Sequence, residues 1–178
     1  MGEHRYLIAL GSNVRHPHHG APAAVLRAAL AALRRDAIQV EAASPIVASA
    51  PLGPSRRRYA NAVAIVSTDL TPQRLLAHLK YLEAQFGRRS RGSRWQARVL
   101  DLDIILWSGG AFASKDLAVP HPEFRLRPFV LQPACTIAAD WRDPLTALSI
   151  RHLSTRLTRP QPAPRAHPSR THSRHRGP

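Results

Sequence analysis

Between residues 5 and 107 the chain alternates β-like and helical runs in the order β-α-β-β-α-β, and few folds accept that order. "RYLIAL" (5–10) is short and apolar and ends at the turn "GSN". Residues 22 to 35 put Val25, Leu26, Ala29, Leu30 and Leu33 on one stripe, with Pro22 near the start, which predicts an amphipathic helix. Residues 37 to 49 are β-like and interrupted at Pro45, and "YANAVAIVS" (59–67) is a further strand. Thr71-Pro72 then starts a helix, with the threonine hydroxyl as its expected cap. Leu75, Leu79, Leu82 and Phe86 follow at helical spacing, and Gly87 stops the run. "VLDLDIILW" (99–107) is the last clear strand. This order is the ferredoxin-like βαββαβ unit, an antiparallel sheet with both helices on one face. Residues 108 to 123 read as irregular and residues 127 to 139 as helical after Pro128. The expected fold class is α+β, ferredoxin-like, elaborated to three αβα layers.

The last strand carries two acids inside an apolar run. Residues two apart in a strand share a face, so Asp101 and Asp103 project together, about 6–7 Å apart at the backbone. Leu100, Leu102, Ile104 and Leu106 then take the opposite face, toward the core, while Ile105 and Trp107 continue the acid face as apolar. Like charges that close repel unless a cation sits between them. Two carboxylates on a rigid strand suit Mg²⁺, which takes one or two carboxylates plus substrate phosphates. The preceding "RRSRGSR" (88–94) holds four arginines and no acid, a composition suited to bidentate phosphate binding. Acids for a metal and arginines for a phosphate describe a phosphoryl- or pyrophosphoryl-transfer site. No G-x-x-x-x-G-K-[ST] loop and no kinase-type H-R-D or D-F-G occurs, so side chains and metal must hold the phosphates.

Composition narrows the field. With 178 residues and 44% apolar content, the chain suits one domain with a real core. No apolar run approaches the about 18 residues of a membrane span, and the first turn comes too early for a signal peptide, so the expectation is a soluble, cytoplasmic protein. A single cysteine, Cys135, excludes an internal disulfide and reads as a core residue. The net charge is +15, from 26 basic and 11 acidic residues, which suggests an anionic partner. Seven arginines and no acid lie in residues 151 to 178. Residues 1–155 are read as the domain and residues 156–178 as a basic Pro/Arg/His-rich tail, expected to be disordered because it cannot bury enough apolar surface.

"YLIALGSN", "PLG…YANAV", "LLAHLKYLEAQFGR", "RW..R.LDLDIIL" and "VPHPEFRLRPFVLQP" occur in this order between about residues 5 and 145. Together they resemble the hydroxymethyldihydropterin pyrophosphokinase family of folate biosynthesis. The resemblance implies transfer of the β,γ-diphosphate of ATP to the hydroxymethyl oxygen of a reduced pterin, with release of AMP. It implies two Mg²⁺ ions, held by Asp101 and Asp103, and ATP as co-substrate. By the same resemblance Arg88, Arg94 and Arg98 belong to a mobile catalytic loop, Arg88 and Arg98 as catalytic residues and Arg94 toward ATP. His121 and Arg127 match ATP-phosphate contacts, and Glu83 matches a helix acid near the nucleotide; by itself Glu83 reads as an exposed helix charge. Ser49, Leu52, Tyr59, Asn61, Trp95 and Phe129 fall on pterin-binding positions. An aromatic on each ring face and a bidentate amide at the ring edge suit a flat heteroaromatic. The implied partners are the two small-molecule substrates, with no membrane, no specific nucleic acid and a monomeric state.

The sequence departs from the family pattern in the loops. "PSRRRY" after "PLG" is one residue short and lacks the usual Asp-Gln; Ser90 stands where a second loop arginine is common; Gln96-Ala97 replaces Gly-Pro. Asp116 and Ala118 stand near positions that are often basic and hydroxylated. These changes bear on rate and pterin specificity more than on reaction class. Two other readings compete: a paralogue with altered loops, weak or acting on a related pterin, and a basic nucleic-acid-binding ferredoxin-like module. The module lacks the K/R-G-F-G-F-V-x-F signature, and its aromatic content is 6%.

Overall fold

The computed structural model describes residues 3–34, 38–50, 57–87 and 98–159. Its elements are β1 (His4–Ser12), α1 (Pro22–Leu33), β2 (Gln39–Ala43), β3 (Val47–Ser49), β4 (Tyr59–Thr68), α2 (Pro72–Gln85), β5 (Asp101–Trp107), β6 (Phe112–Ala113), β7 (Ala118–Val119), a 3-10 turn (Phe124–Leu126), α3 (Pro128–Ala138) and α4 (Ile150–Thr158). The main sheet runs β2-β4-β1-β5, all antiparallel, with β3 also paired to β4. The two long apolar strands, β4 and β1, are central, where both faces are covered; β5 is an edge. The segment expected to be irregular contains the small β6–β7 hairpin.

Each face of the sheet has its own core. On one face Tyr6, Ile8, Leu10, Leu102 and Ile104 meet Val25, Leu26, Ala29 and Leu33 of α1 and Leu75, Leu79 and Leu82 of α2. On the other, Leu7, Val63, Ile65, Ile105 and Leu106 meet Val130, Leu131 and Ala134 of α3, and Ile150 and Leu153 of α4. The architecture is therefore α+β with three αβα layers, as the sequence implied. Each fully buried leucine or isoleucine contributes about 1.5–3 kcal/mol, so both layers matter to stability.

Three local expectations need correction. Register runs Leu7↔Leu106 but Ile8↔Ile104, so Ile105 is an extra residue in β5. That bulge turns Leu106 into the second core and Trp107 toward the first, opposite to strict alternation. Thr71 precedes α2 in extended conformation, but its side chain makes no capping bond. Finally, α4 runs to Thr158, beyond the expected 155/156 boundary. Its cap is Ser149, whose oxygen accepts from the His152 amide at 3.3 Å. Residues 160–178 of the tail lie outside the described residues. Cys135 is half-buried against the second core, its sulfur 3.8 Å from the Ile150 carbonyl oxygen. No helix among the described residues is long and apolar enough to cross a membrane.

Candidate active site

The antiparallel register sets Asn61, Gly11 and Asp101 side by side across β4, β1 and β5. The adjacent same-face row on β1 and β5 is Ala9 and Asp103. The β1 residues between the amide on β4 and the carboxylates on β5 are thus small, Gly11 and Ala9. A Cβ on Gly11 would lie 3.7 Å from Asn61 Oδ1 and 3.9 Å from Asp101 Cβ, in contact with both side chains. The sequence placed Gly11 in the turn "GSN", but β1 runs through Ser12, with Gly11 paired to Asn61 and Ser12 to Ala60.

The two carboxylates are partly exposed, Asp101 to 19% and Asp103 to 29%. Each is matched by cations from elsewhere. Arg98, three residues earlier, forms a short ion pair with Asp101. Burial by itself would lower the Arg98 pKa; Asp101 and then Asp103 outweigh it and hold the guanidinium firmly charged. Asp103 faces Arg127 at 3.4 Å and His121 Nε2 at 3.8 Å. The His121 amide donates to the Ile105 carbonyl at 3.0 Å, which ties its loop to β5 at the bulge. Its Nδ1 accepts from the Glu123 amide at 3.2 Å, so a neutral ring carries its proton on Nε2, toward Asp103. Burial lowers the His121 pKa; Asp103 opposes the shift and Arg127 adds to it. Arg127 also donates to Glu123 at 2.6 Å and lies 6.0 Å from the Phe129 ring. Phe129 is half-buried at the start of α3.

On the β4 side, Asn61 Nδ2 donates to Ser49 Oγ at 2.8 Å. Ser49 pairs with Tyr59 across β3 and β4, so Ser49, Tyr59 and Asn61, three of the six expected pterin residues, lie together at one end of the sheet.

Glu83 is not the exposed helix charge that its sequence context suggested. Its side chain is 0% exposed. One carboxylate oxygen accepts from the Leu102 amide at 2.7 Å, and Lys80 lies 3.2 Å away. As an edge strand, β5 has backbone groups without a strand partner; Glu83 satisfies one of them between the two aspartates. Asn13, also missed from sequence, does comparable work before the strand. Its Oδ1 accepts from the Arg98 amide at 2.7 Å, and its own amide donates to the Arg98 carbonyl at 3.0 Å.

Leu52, Arg88, Arg94 and Trp95 lie outside the described residues, as do Ser90, Gln96 and Ala97. Among the described residues no group of three or more His, Cys, Asp or Glu side chains is arranged to hold a metal ion. The donor set is instead two hard carboxylates, which suits Mg²⁺ completed by substrate phosphates and does not suit a closed protein cage.

Residues 7–139 match the family model for 7,8-dihydro-6-hydroxymethylpterin-pyrophosphokinase. A 2-amino-4-hydroxy-6-hydroxymethyldihydropteridine pyrophosphokinase of Synechocystis is 35% identical over 150 residues, covering 84% of this chain and 74% of the relative. The Pseudomonas aeruginosa protein of the same name is 39% identical over 142 residues, covering 79% and 84%. Among solved structures, the Plasmodium falciparum HPPK-DHPS chain superposes with a TM-score of 0.68 at 11% identity. It covers 87% of this chain, which spans 45% of that longer one, and it supports the fold alone. On the family model and the two bacterial relatives, this chain belongs to the 7,8-dihydro-6-hydroxymethylpterin pyrophosphokinase family.

Proposed function

We propose that the chain transfers the pyrophosphoryl group of ATP to the hydroxymethyl oxygen of 6-hydroxymethyl-7,8-dihydropterin. The hydroxyl oxygen attacks the β-phosphorus, the bond from that phosphorus to the α-phosphate oxygen breaks, AMP leaves and the hydroxyl proton is lost. The observation that carries this reading is the row Asn61–Gly11–Asp101, which sets an amide suited to a pterin edge beside a carboxylate suited to a phosphate-bound cation.

Asp101 and Asp103 would hold two Mg²⁺ ions, whose chemistry is to neutralise the triphosphate and polarise its phosphorus centres. Arg98 and Arg127 balance the carboxylates in this structure. With cations on those carboxylates, both guanidiniums are available to the phosphate oxygens, which they fit in bidentate geometry. His121 presents an N–H toward the same region. Arg88 and Arg94 would add to the phosphate contacts. Asn61, oriented by Ser49, recognises the pterin edge by donor–acceptor pairing; Tyr59, Leu52, Trp95 and Phe129 supply apolar and aromatic surface. Glu83 contributes by fixing the β5 backbone behind the two aspartates. Most of the rate enhancement in such a site comes from positioning and electrostatics.

This reading includes a monomeric enzyme, a catalytic domain that extends through α4 and a dispensable basic tail. It also includes a cytoplasmic location, beside the ATP pool it consumes. The test is direct: incubate the full chain with ATP, Mg²⁺ and the reduced hydroxymethylpterin, and quantify AMP. Stoichiometric AMP and pyrophosphorylated pterin are expected. Folded protein that releases no AMP above background overturns the proposal.

A further inference from the structure

Arg98 depends on a side chain that the expected site did not include. Asn13 follows β1 directly and is 4% exposed. Its main-chain amide donates to the Arg98 carbonyl at 3.0 Å, while its side-chain Oδ1 accepts from the Arg98 amide at 2.7 Å. Both polar groups of the Arg98 backbone are thus held by one residue, as a strand neighbour would hold them. The regular β1–β5 ladder ends at Gly11↔Asp101, three residues short of Arg98. Asn13 bridges that gap with its side chain.

The consequence reaches Asp101. An arginine side chain is long and loses much rotamer freedom when it is fixed. A guanidinium meets a carboxylate in defined geometry only if its backbone origin is fixed too. With the Arg98 backbone tied to β1 and Asp101 paired to β1 through Gly11, donor and acceptor stand on one frame. Among the described residues the buried Asn13 Nδ2 has no hydrogen-bond partner, so the contact to Arg98 runs through Oδ1 alone of the side-chain amide. An apolar residue would leave no orphan at that atom, but it could not hold the Arg98 amide.

We propose that Asn13 is a positioning residue for the transfer reaction, acting through Arg98; this rests on the pyrophosphokinase reading above. Asn13 touches neither substrate in this role. Its removal lets the Arg98 backbone drift and spoils the guanidinium's approach to Asp101 and to the phosphates.

The test is a double-mutant cycle with an exchange measurement beside it. In the full chain, Asn13→Ala should lower kcat for AMP release by about 10–100-fold, the range seen when a group that orients a site residue is removed. KM for the pterin should change less than about threefold and the melting temperature by only a few degrees, since the main-chain bond to Arg98 survives. In an Arg98→Ala background, Asn13→Ala should cost less than about threefold, because its target is already gone. Equal losses in both backgrounds, or a loss that simply tracks unfolding, would overturn the proposal. Hydrogen exchange at the Arg98 amide should accelerate in Asn13→Ala; unchanged protection also overturns it. This second readout needs no turnover. A wild-type chain without AMP release would therefore refute the activity while leaving the Asn13–Arg98 contact independently tested.

Discussion

Two of the chain's aspartate–arginine pairs, Arg125–Asp143 and Arg98–Asp101, differ in everything around the charges. Asp143 is 0% exposed and accepts two parallel bonds from Arg125, both at 2.7 Å. The Thr146 hydroxyl at 2.5 Å and the Leu145 amide at 3.1 Å complete its acceptor set. The pair ties the 3-10 turn before α3 to the loop before α4. Asp101 meets Arg98 at the open end of the sheet, with Asp103 on the same face and Gly11 paired alongside. A buried acid with four donors is saturated and has nothing to offer a ligand. A partly exposed acid beside a second acid is held by cations that can be exchanged for others. The same two residue types are structural in one setting and, on the proposed function, chemical in the other, and solvation with neighbouring charge makes the difference.

Substitutions sharpen that contrast. The largest effect is expected on chemistry: Asp101→Asn should lower AMP formation on the order of 10²–10³-fold, the scale of losing one group aimed at transition-state charge. Its melting temperature should stay near wild type, because Asn keeps an oxygen for Arg98. A fully active Asp101→Asn variant would remove the metal role from this residue.

Next in size is stability. Asp143→Ala strips Arg125 of its buried partner and should cost about 3 kcal/mol in urea unfolding, with kcat of the folded fraction within a few-fold of wild type. If activity per folded molecule collapses while stability holds, the two pairs have been assigned the wrong way round. The pH dependence of this term has a definite sign. Burial would raise the Asp143 pKa, but the Arg125, Thr146 and Leu145 bonds outweigh it and set it below the ordinary 3.8. Its stabilisation is therefore complete above about pH 3.8 and fades as pH falls through the lower folded value. The stability gap between wild type and Asp143→Ala should narrow only in that acid window; a gap that closes near neutrality would point to another group.

The smallest effect is expected from the tail. Ending the chain after Arg159 removes none of the described core and should leave kcat/KM within about twofold, judged against the ±0.5 kcal/mol scatter of surface changes. A larger loss would make the tail part of the catalytic unit.

Much of this molecule was legible in one dimension. Helical spacing in α1 and α2, β-like runs in β1, β4 and β5, and Gly87 as a stop are local signals, and the structure follows them. The Asp101/Asp103 pair was legible because a strand's period of two puts alternate residues on one face. The Ile105 bulge was not, since an extra residue in a ladder is defined only against its partner strand. α4 could have been found: Ser149 as a cap and Ile150, Leu153 and Leu157 at helical spacing are local cues, obscured by the basic tail beside them. Glu83 misled because its helix position looked solvated, and only the docking of α2 beside edge strand β5 buries it against the Leu102 amide.

The sequence by itself determined the β-α-β-β-α-β order between residues 5 and 107, the apolar stripes of its helices, and which acids share a strand face. These follow from backbone periodicity and from the free energy of burying apolar surface. Only the tertiary structure decided which acids are buried and saturated and which stay partly exposed. It also decided that Asn13 and Glu83 hold the β5 frame and that Gly11 stands between Asn61 and Asp101. Those outcomes depend on contacts between residues far apart in the chain, where hydrogen-bond partners and solvent exposure exist only after the strands have paired and the helices have docked.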